Sequence, residues 1–334
     1  MAILPPQTIF AGRYKIHSLL GQGGMGKVYR ARHLGLRRDI ALKVIGADVI
    51  GNLEARFERE ARAAGRLDHA GCVRIFDYGR TPERSQYIAM ELVDGPTLAR
   101  VLADEGQLST RRSLDIARAV LAALVHAHQR GVLHRDVKPE NIMLVDGRSG
   151  GRCVLIDFGL ADLVGDTRLT VAGLCFGSPS YLAPERLLGR VYDARADIYS
   201  AGVVLYEMLA GERPFVGKTP RDIMHARLTR PVWPLRMIRP DVSPVLETVV
   251  MRALEREPAH RYADAKQMLD ALEHVPGLEE LAVRRARAAR AEQEPTIVVS
   301  ERPSVRRRVW SWLSGGDWRS REKMAAELLG QRSH

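Results

Sequence analysis

Hydrophobic and polar positions change rhythm twice along this chain. Arg13 to Leu20 and Lys27 to His33 read as two strands on either side of a glycine-rich turn. Asp39 to Ile45 alternates and carries β-branched residues, which predicts a third strand. Asn52 to Leu67 switches to helical spacing, with Leu53, Phe57, Ala61, Ala64 and Leu67 on or near one face. Val73 to Gly79 and Gln86 to Val93 return to strand character. Beyond residue 95 the spacing is largely helical. Arg111 to Arg130 predicts a long helix stopped by Gly131, and Ala196 to Ala210 a buried one stopped by Gly211. Val245 to Leu254 and Asp264 to Leu272 predict shorter helices. No internal repeat is visible. Proline and arginine become denser after about residue 275, which marks a domain edge.

Composition adds bounds to this picture. The chain has 334 residues and 46% hydrophobic content, enough for a substantial core. Cys72, Cys153 and Cys175 are an odd number without CxxC spacing. That speaks against a disulfide framework or zinc site and predicts a cytoplasmic setting. Met1 to Phe10 lacks the pattern of a secretory signal, and no apolar run is long enough to span a membrane. The net charge is +11, and residues 283–334, with 12 Lys/Arg against 6 Asp/Glu, hold much of it. A basic tail suits an anionic lipid surface or an acidic partner, and equally a solvated linker. No nucleic-acid-binding motif accompanies it.

Four short strings carry candidate chemistry. Gly21-Gln22-Gly23-Gly24-Met25-Gly26-Lys27-Val28 leaves backbone N–H groups open to phosphates. It runs on into a strand pattern rather than a helix, which separates it from dinucleotide-binding loops. Lys43 lies in the apolar strand Ala41-Leu42-Lys43-Val44, where an ammonium needs an acidic partner. Glu60 on the following helix is the predicted one, with Glu58 about 200° away around the axis. His134-Arg135-Asp136-Val137-Lys138-Pro139-Glu140-Asn141 supplies a base, a cation and an amide oxygen. Asp157-Phe158-Gly159 ends the apolar run Val154-Leu155-Ile156 and offers a carboxylate for a hard cation such as Mg²⁺.

Together with Ala183-Pro184-Glu185, these strings resemble a protein kinase of the eukaryotic-like serine/threonine type, and the wording from Gly21 to Tyr29 resembles bacterial members. The resemblance spans residues 13–272 and implies an α+β, two-lobed kinase fold. A β-rich N-lobe with one main helix would cover about 13–94 and a helical C-lobe about 95–272. Residues 1–12 would be an extension and 273–334 a basic, flexible tail. It also implies ATP and Mg²⁺ as cofactors, with Mn²⁺ as a second candidate metal. Asp136 would be the base, Lys138 would neutralise the transferring phosphate, and Lys43 would touch the α- and β-phosphates, braced by Glu60. Asn141 and Asp157 would hold the metal.

Met90, Glu91 and Val93 would line a hinge against adenine, with Ala41 and Met143 in the same pocket. His134 and Phe158 would pack between the lobes, Asp197 would brace the catalytic loop, and Glu185 would pair with Arg261. Ser178 stands where the family usually has threonine facing the acceptor, and Ala70-Gly71 replaces the common Pro-Asn; neither puts a catalytic residue in doubt.

Control is expected through Arg135, which needs an anion when buried. Thr170 is the predicted phosphosite and Thr167 the second. The tail carries Thr296, which when phosphorylated resembles a ligand for a forkhead-associated domain. It also carries Arg306-Arg307-Arg308-Val309-Trp310-Ser311-Trp312, suited equally to peripheral membrane contact, to docking a partner or to folding back on the kinase domain. Protein substrates with serine or threonine are expected, and the reading allows a dimer. The alternative is a catalytically weak ATP-binding scaffold acting through its tail.

Overall fold

The computed structural model describes residues 2–23, 26–46, 54–145, 152–158 and 180–275. The alternating segments form one six-stranded antiparallel sheet in the order β1-β2-β3-β4-β6-β5. Its strands are β1 (Ile9–Phe10), β2 (Tyr14–Gly23), β3 (Gly26–His33), β4 (Arg38–Ile45), β5 (Ile75–Arg80) and β6 (Gln86–Glu91). Helix α1 (Glu54–Ala64) lies in sequence between β4 and β5.

Side chains on a strand alternate between faces, so the sheet has two apolar surfaces. Ile40, Leu42 and Val44 of β4 join Tyr14, Ile16, Tyr29 and Tyr87 in one cluster. Ala41 and Ile45 join Phe57 and Ala61 of α1 and Met90 of β6 in the other. Lys43 shares the parity of Ala41 and Ile45, and this places it on the face that α1 covers. Strand β1 was not expected: Ile9 and Phe10 pair with Lys15 and Tyr14, and the Phe10 ring meets Tyr87 edge-on at 5.6 Å. Part of the expected N-terminal extension therefore belongs to the sheet.

The helical half is built on α3 (Thr110–His128) and α5 (Arg195–Ala210). In α5 nearly every side chain is buried, as the almost uninterrupted apolar pattern required. Gly202 lets it approach its neighbour, because a Cβ there would sit 2.8 Å from the Ala253 methyl. Around this pair lie α2 (Leu98–Glu105), α4 (Pro184–Leu187), α6 (Pro220–Thr229), α7 (Leu235–Ile238), α8 (Pro244–Ala253) and α9 (Ala265–Glu273). Side-chain oxygens of Thr97, Ser109, Ser243 and Asp264 cap α2, α3, α8 and α9, satisfying N–H groups that a helix start leaves open. A two-stranded ribbon of β7 (Ile142–Leu144) and β8 (Cys153–Leu155) carries the segments on which the site is built. Among the described residues, no helix is long and apolar enough to cross a membrane.

Chain passes between the two halves at Asp94-Gly95-Pro96. Gly95 has φ +147°, and a Cβ there would press on the Leu144 carbonyl, 2.9 Å from its carbon. Gly95→Ala is expected to cost about 1–3 kcal/mol of folding stability, the usual range for forcing a side chain into such a conformation. A urea midpoint equal to that of the wild type would show that the contact does not constrain the chain.

Candidate active site

The segment from His134 to Asn141 has little regular structure of its own and is fixed from below. Asp197, in the first turn of α5, is buried and accepts hydrogen bonds from two consecutive backbone N–H groups, His134 (2.8 Å) and Arg135 (2.7 Å). His128 Nε2 lies 2.9 Å from the same carboxylate. Burial alone would raise the Asp197 carboxyl, but the His128 hydrogen bond and the charges and N–H groups around it hold it below the usual range. This grip keeps Arg135 in a left-handed backbone conformation, φ +67°, that a side chain rarely adopts unaided. The expected bracing role of Asp197 is thus visible as hydrogen bonds.

His134 is buried, with Nε2 2.9 Å from the Ile156 carbonyl oxygen and its ring 4.6 Å from the Phe158 ring. Desolvation pushes its pKa down, so it is neutral packing against the segment that follows β8. The Glu185–Arg261 pair also forms, as a two-pronged contact of 2.7 Å on each prong.

Asp136 emerges from this base with a defined polarity. Lys138 Nζ lies 2.7 Å and Asn141 Nδ2 2.9 Å from Asp136 Oδ2, while Asn141 Nδ2 also donates to the Asp136 carbonyl oxygen at 2.8 Å. Both side-chain contacts fall on Oδ2, so Oδ1 is the oxygen left to accept a proton. The Asn141 amide nitrogen is committed to Asp136, which leaves its Oδ1 as a neutral oxygen ligand. Ile156 N–H donates to the Asn141 carbonyl at 3.0 Å, tying Asp157 to the same loop. Asp157 is left-handed, φ +65°. Burial would raise its carboxyl, but the Lys43 ammonium at 2.8 Å holds it below the usual range, so it is an anion.

Among the described residues, no group of three or more His, Cys, Asp or Glu could hold a metal. One carboxylate and one amide oxygen fit a cation that keeps most of its waters and shares phosphate oxygens, as Mg²⁺ does.

One expectation is corrected. Lys43 is not paired with Glu60. Its ammonium reaches Asp157, while Glu60 Oε2 lies 2.9 Å from Arg135 Nη1, and Glu60 Oε1 lies 3.4 Å from Arg59 Nη2. The Glu60 and Arg135 side chains are only 11% and 17% exposed, so each charge needs an opposite one. Glu60 is one anion on Arg135; the expected phosphosites Thr170 and Thr167 lie outside the described residues.

An apolar cluster lies under the face of the sheet that carries Lys43. Ala41 and Met90 lie in the cluster under the sheet, with Val28, Val93 and Met143 packed against it. Ala41, Met90, Val93 and Met143, contributed by β4, β6, the segment after β6 and β7, are among the residues expected at adenine, and Val28 of β3 comes from the glycine-rich string. Glu91 N–H donates to the Arg74 carbonyl at 2.8 Å, and Arg152 forks onto the Glu91 carboxylate at 3.0 and 3.3 Å. Gly21, Gln22 and Gly23 end β2, and Gly26, Lys27 and Val28 open β3, with Gln22 opposite Lys27 and Gly23 opposite Gly26. Gly24, Met25, Thr167, Thr170, Ser178 and Thr296 lie outside the described residues. Sequence reasoning missed His128 and Arg152; the spacing of His128 six residues before His134 was the available signal for the first.

Comparison with known proteins places this geometry. The family model for the protein kinase domain matches residues 14–274. The serine/threonine-protein kinase pkn3 of Myxococcus xanthus is 39% identical over 274 residues, covering 79% of this chain and 50% of that protein. The serine/threonine-protein kinase PknB of Mycolicibacterium smegmatis is 40% identical over 270 residues, covering 79% of this chain and 43% of that protein. The chain thus spans half or less of these relatives. Among solved structures, the Mycobacterium tuberculosis PknI kinase domain superposes with a TM-score of 0.67 at 33% identity, covering 82% of this chain and 100% of that one.

Proposed function

The chain belongs to the protein kinase family, and from that premise we propose that it transfers the γ-phosphoryl group of ATP to serine and threonine hydroxyls of proteins. The observation that carries this reading is the convergence of Lys138 and Asn141 on Asp136 Oδ2, which leaves Oδ1 for an incoming hydroxyl. In the proposed step, the acceptor oxygen forms a bond to the γ-phosphorus and the bond to the bridging oxygen breaks. ADP leaves, and the hydroxyl proton goes to Asp136. Lys138 offsets charge on the transferring group, and Lys43 turns from Asp157 to the α- and β-phosphates. Bound Mg²⁺ would supply charge neutralisation for the phosphates, held by Asn141 Oδ1 and the Asp157 carboxylate. Adenine would lie among Val28, Ala41, Met90, Val93 and Met143. It would meet Glu91 through its carbonyl, because the N–H is engaged by Arg74.

Incubation with ATP, Mg²⁺ and a protein acceptor should yield phosphoserine or phosphothreonine, and chelating the metal should stop it. Phosphotyrosine alone, or transfer that survives chelation, would contradict the reading. Mapped sites would also test Thr296, whose phosphate would suit a forkhead-associated domain. A cytoplasmic setting agrees with Cys72 and Cys153 as free, buried thiols.

The Glu60–Arg135 pair suggests a resting arrangement. A phosphate on Thr170 would compete for Arg135 and release Glu60 toward Lys43. Thr170→Ala should therefore lower turnover; unchanged turnover and phosphate content would exclude this control. The same pair is the observation that favours the second reading, an ATP-binding scaffold. In that reading Glu60 would stay on Arg135 whatever the phosphorylation state.

A further inference from the structure

Arg135 is held at three separate points: backbone N–H, side chain and carbonyl. Its N–H donates to Asp197 at 2.7 Å, and its guanidinium meets Glu60 at 2.9 Å. Its carbonyl oxygen accepts a hydrogen bond from Arg186 Nη1, 51 residues further along the chain. That carbonyl belongs to the peptide that leads into Asp136. The N–H of the same peptide donates to His134 Nδ1 at 3.3 Å. A peptide unit is planar. A donor on its oxygen and an acceptor at its nitrogen therefore fix the plane from which the Asp136 side chain starts.

Arg186 reaches that carbonyl from a fixed base. It is 6% exposed, and its guanidinium lies 4.9 Å from the Tyr192 ring centroid. Its backbone belongs to α4, a single turn that begins at Pro184. Arg186 N–H donates to the Ala183 carbonyl at 3.0 Å, and its own carbonyl accepts from Gly189 N–H at 3.1 Å. The residue before it, Glu185, is clamped by the buried Arg261. The turn thus has supports of its own, and Arg186 carries its position across to the catalytic loop. Burying a guanidinium is costly, and an apolar side chain on Tyr192 would pack here without that cost. Only a donor supplies the contact to the carbonyl. The backbone of Arg135 needs such a contact, since φ +67° is a conformation that a side chain rarely keeps unless its surroundings hold it.

We propose that Arg186 is a positioning residue for the proton acceptor: by holding the carbonyl of the Arg135–Asp136 peptide, it sets the direction in which Asp136 presents Oδ1 to an incoming hydroxyl. This rests on the kinase reading above. Arg186 acts through Asp136, so its loss should appear in turnover rather than in either KM. Lysine in its place keeps the charge, but one ammonium cannot both rest on the Tyr192 ring and reach the carbonyl.

The test is a double-variant cycle in the full chain. Its members are wild type, Arg186→Met, Arg186→Lys, Asp136→Asn, and Asp136→Asn combined with each Arg186 variant. For each, kcat per nucleotide-binding site, KM for ATP and KM for myelin basic protein are measured beside a thermal unfolding curve. Both Arg186 variants should lower kcat by about tenfold or more, as expected for a misplaced catalytic group, while each KM changes less than about twofold. Arg186→Lys guards against a methionine variant that fails to fold. On the Asp136→Asn background no proton acceptor remains to be aimed, and the same substitutions should lower kcat by less than about twofold. A role confined to folding would lower Tm and the number of nucleotide-binding sites while leaving kcat per site unchanged, and that result would overturn the proposal. So would an equal fall in kcat on both backgrounds, or a rise in either KM without loss of kcat. Wild type that transfers no phosphate would overturn the kinase reading and this one with it, whereas wild-type transfer with an unmoved kcat per site in Arg186→Lys would overturn this one alone.

Discussion

Glu185→Gln is expected to lose about 3–5 kcal/mol of folding stability, the cost of leaving one member of a buried ion pair unmatched. Arg261 is fully buried and uses all five of its N–H donors. Two go to Glu185, at 2.7 Å each, and the others to the carbonyls of Arg195 (3.0 Å), Glu255 (2.7 Å) and Arg256 (2.9 Å). Glutamine keeps the shape of the glutamate but not its charge, so the guanidinium would remain buried without its anion. Arg261→Met should cost a similar amount, because the Glu185 carboxylate would be stranded instead. The double variant, Glu185→Gln with Arg261→Met, should lose clearly less than the sum of the singles, since no uncompensated charge remains. Urea unfolding of the four proteins measures this coupling, and additive losses would show that the pair is not the unit of stability. Because the pair joins α4 to the loop before α9, such variants should lose activity by unfolding rather than by altered chemistry.

Lys43→Met should act in the opposite way, leaving the fold and removing the chemistry. Methionine suits the apolar face that Lys43 shares with Ala41 and Ile45, where Phe57 and Ala61 of α1 already pack. Two electrostatic functions would go. The phosphates would lose their ammonium, and Asp157 would lose the cation that holds its carboxyl below the usual range. With the ammonium gone, the Asp157 carboxyl would lose the charge and hydrogen bond that chiefly oppose its burial. Loss of one preorganised charge contact of this kind lowers turnover by about 10²–10³-fold. The check is phosphoryl transfer at saturating ATP beside a thermal unfolding curve. A variant that unfolds early, or one that turns over at the wild-type rate, would contradict the assignment of Lys43.

Much of this site could be read from the sequence because its parts obey local rules. The alternation of residues 39–45 assigns Lys43 to the face under α1, and the helical spacing of residues 52–67 brings Phe57 and Ala61 to meet it. The apolar run of α5 predicts a buried helix, and a carboxylate in its first turn has little choice but to serve buried N–H groups. What could not be read depends on choices between distant partners. The helix face shows that Glu60 points inward but not which of two cations receives it. That outcome depends on Arg135, whose left-handed backbone is set by Asp197, 62 residues away. Helix α6 was missed because its apolar positions make no clear stripe. Its Thr219-Pro220 start with Asp222 two residues on was a legible capping signal. Strand β1 is two residues long, too short for any periodicity.

The most direct measurement is transfer of label from γ-labelled ATP, with Mg²⁺, to serine and threonine of a protein acceptor by the wild type and by Asp136→Asn. Asparagine keeps the contacts of residue 136 in shape but cannot take the hydroxyl proton. The account predicts labelling by the wild type and a loss of about 10²–10⁴-fold in the variant, the usual contribution of a general base. Equal labelling by both proteins, or none by a wild type that binds ATP, would contradict it.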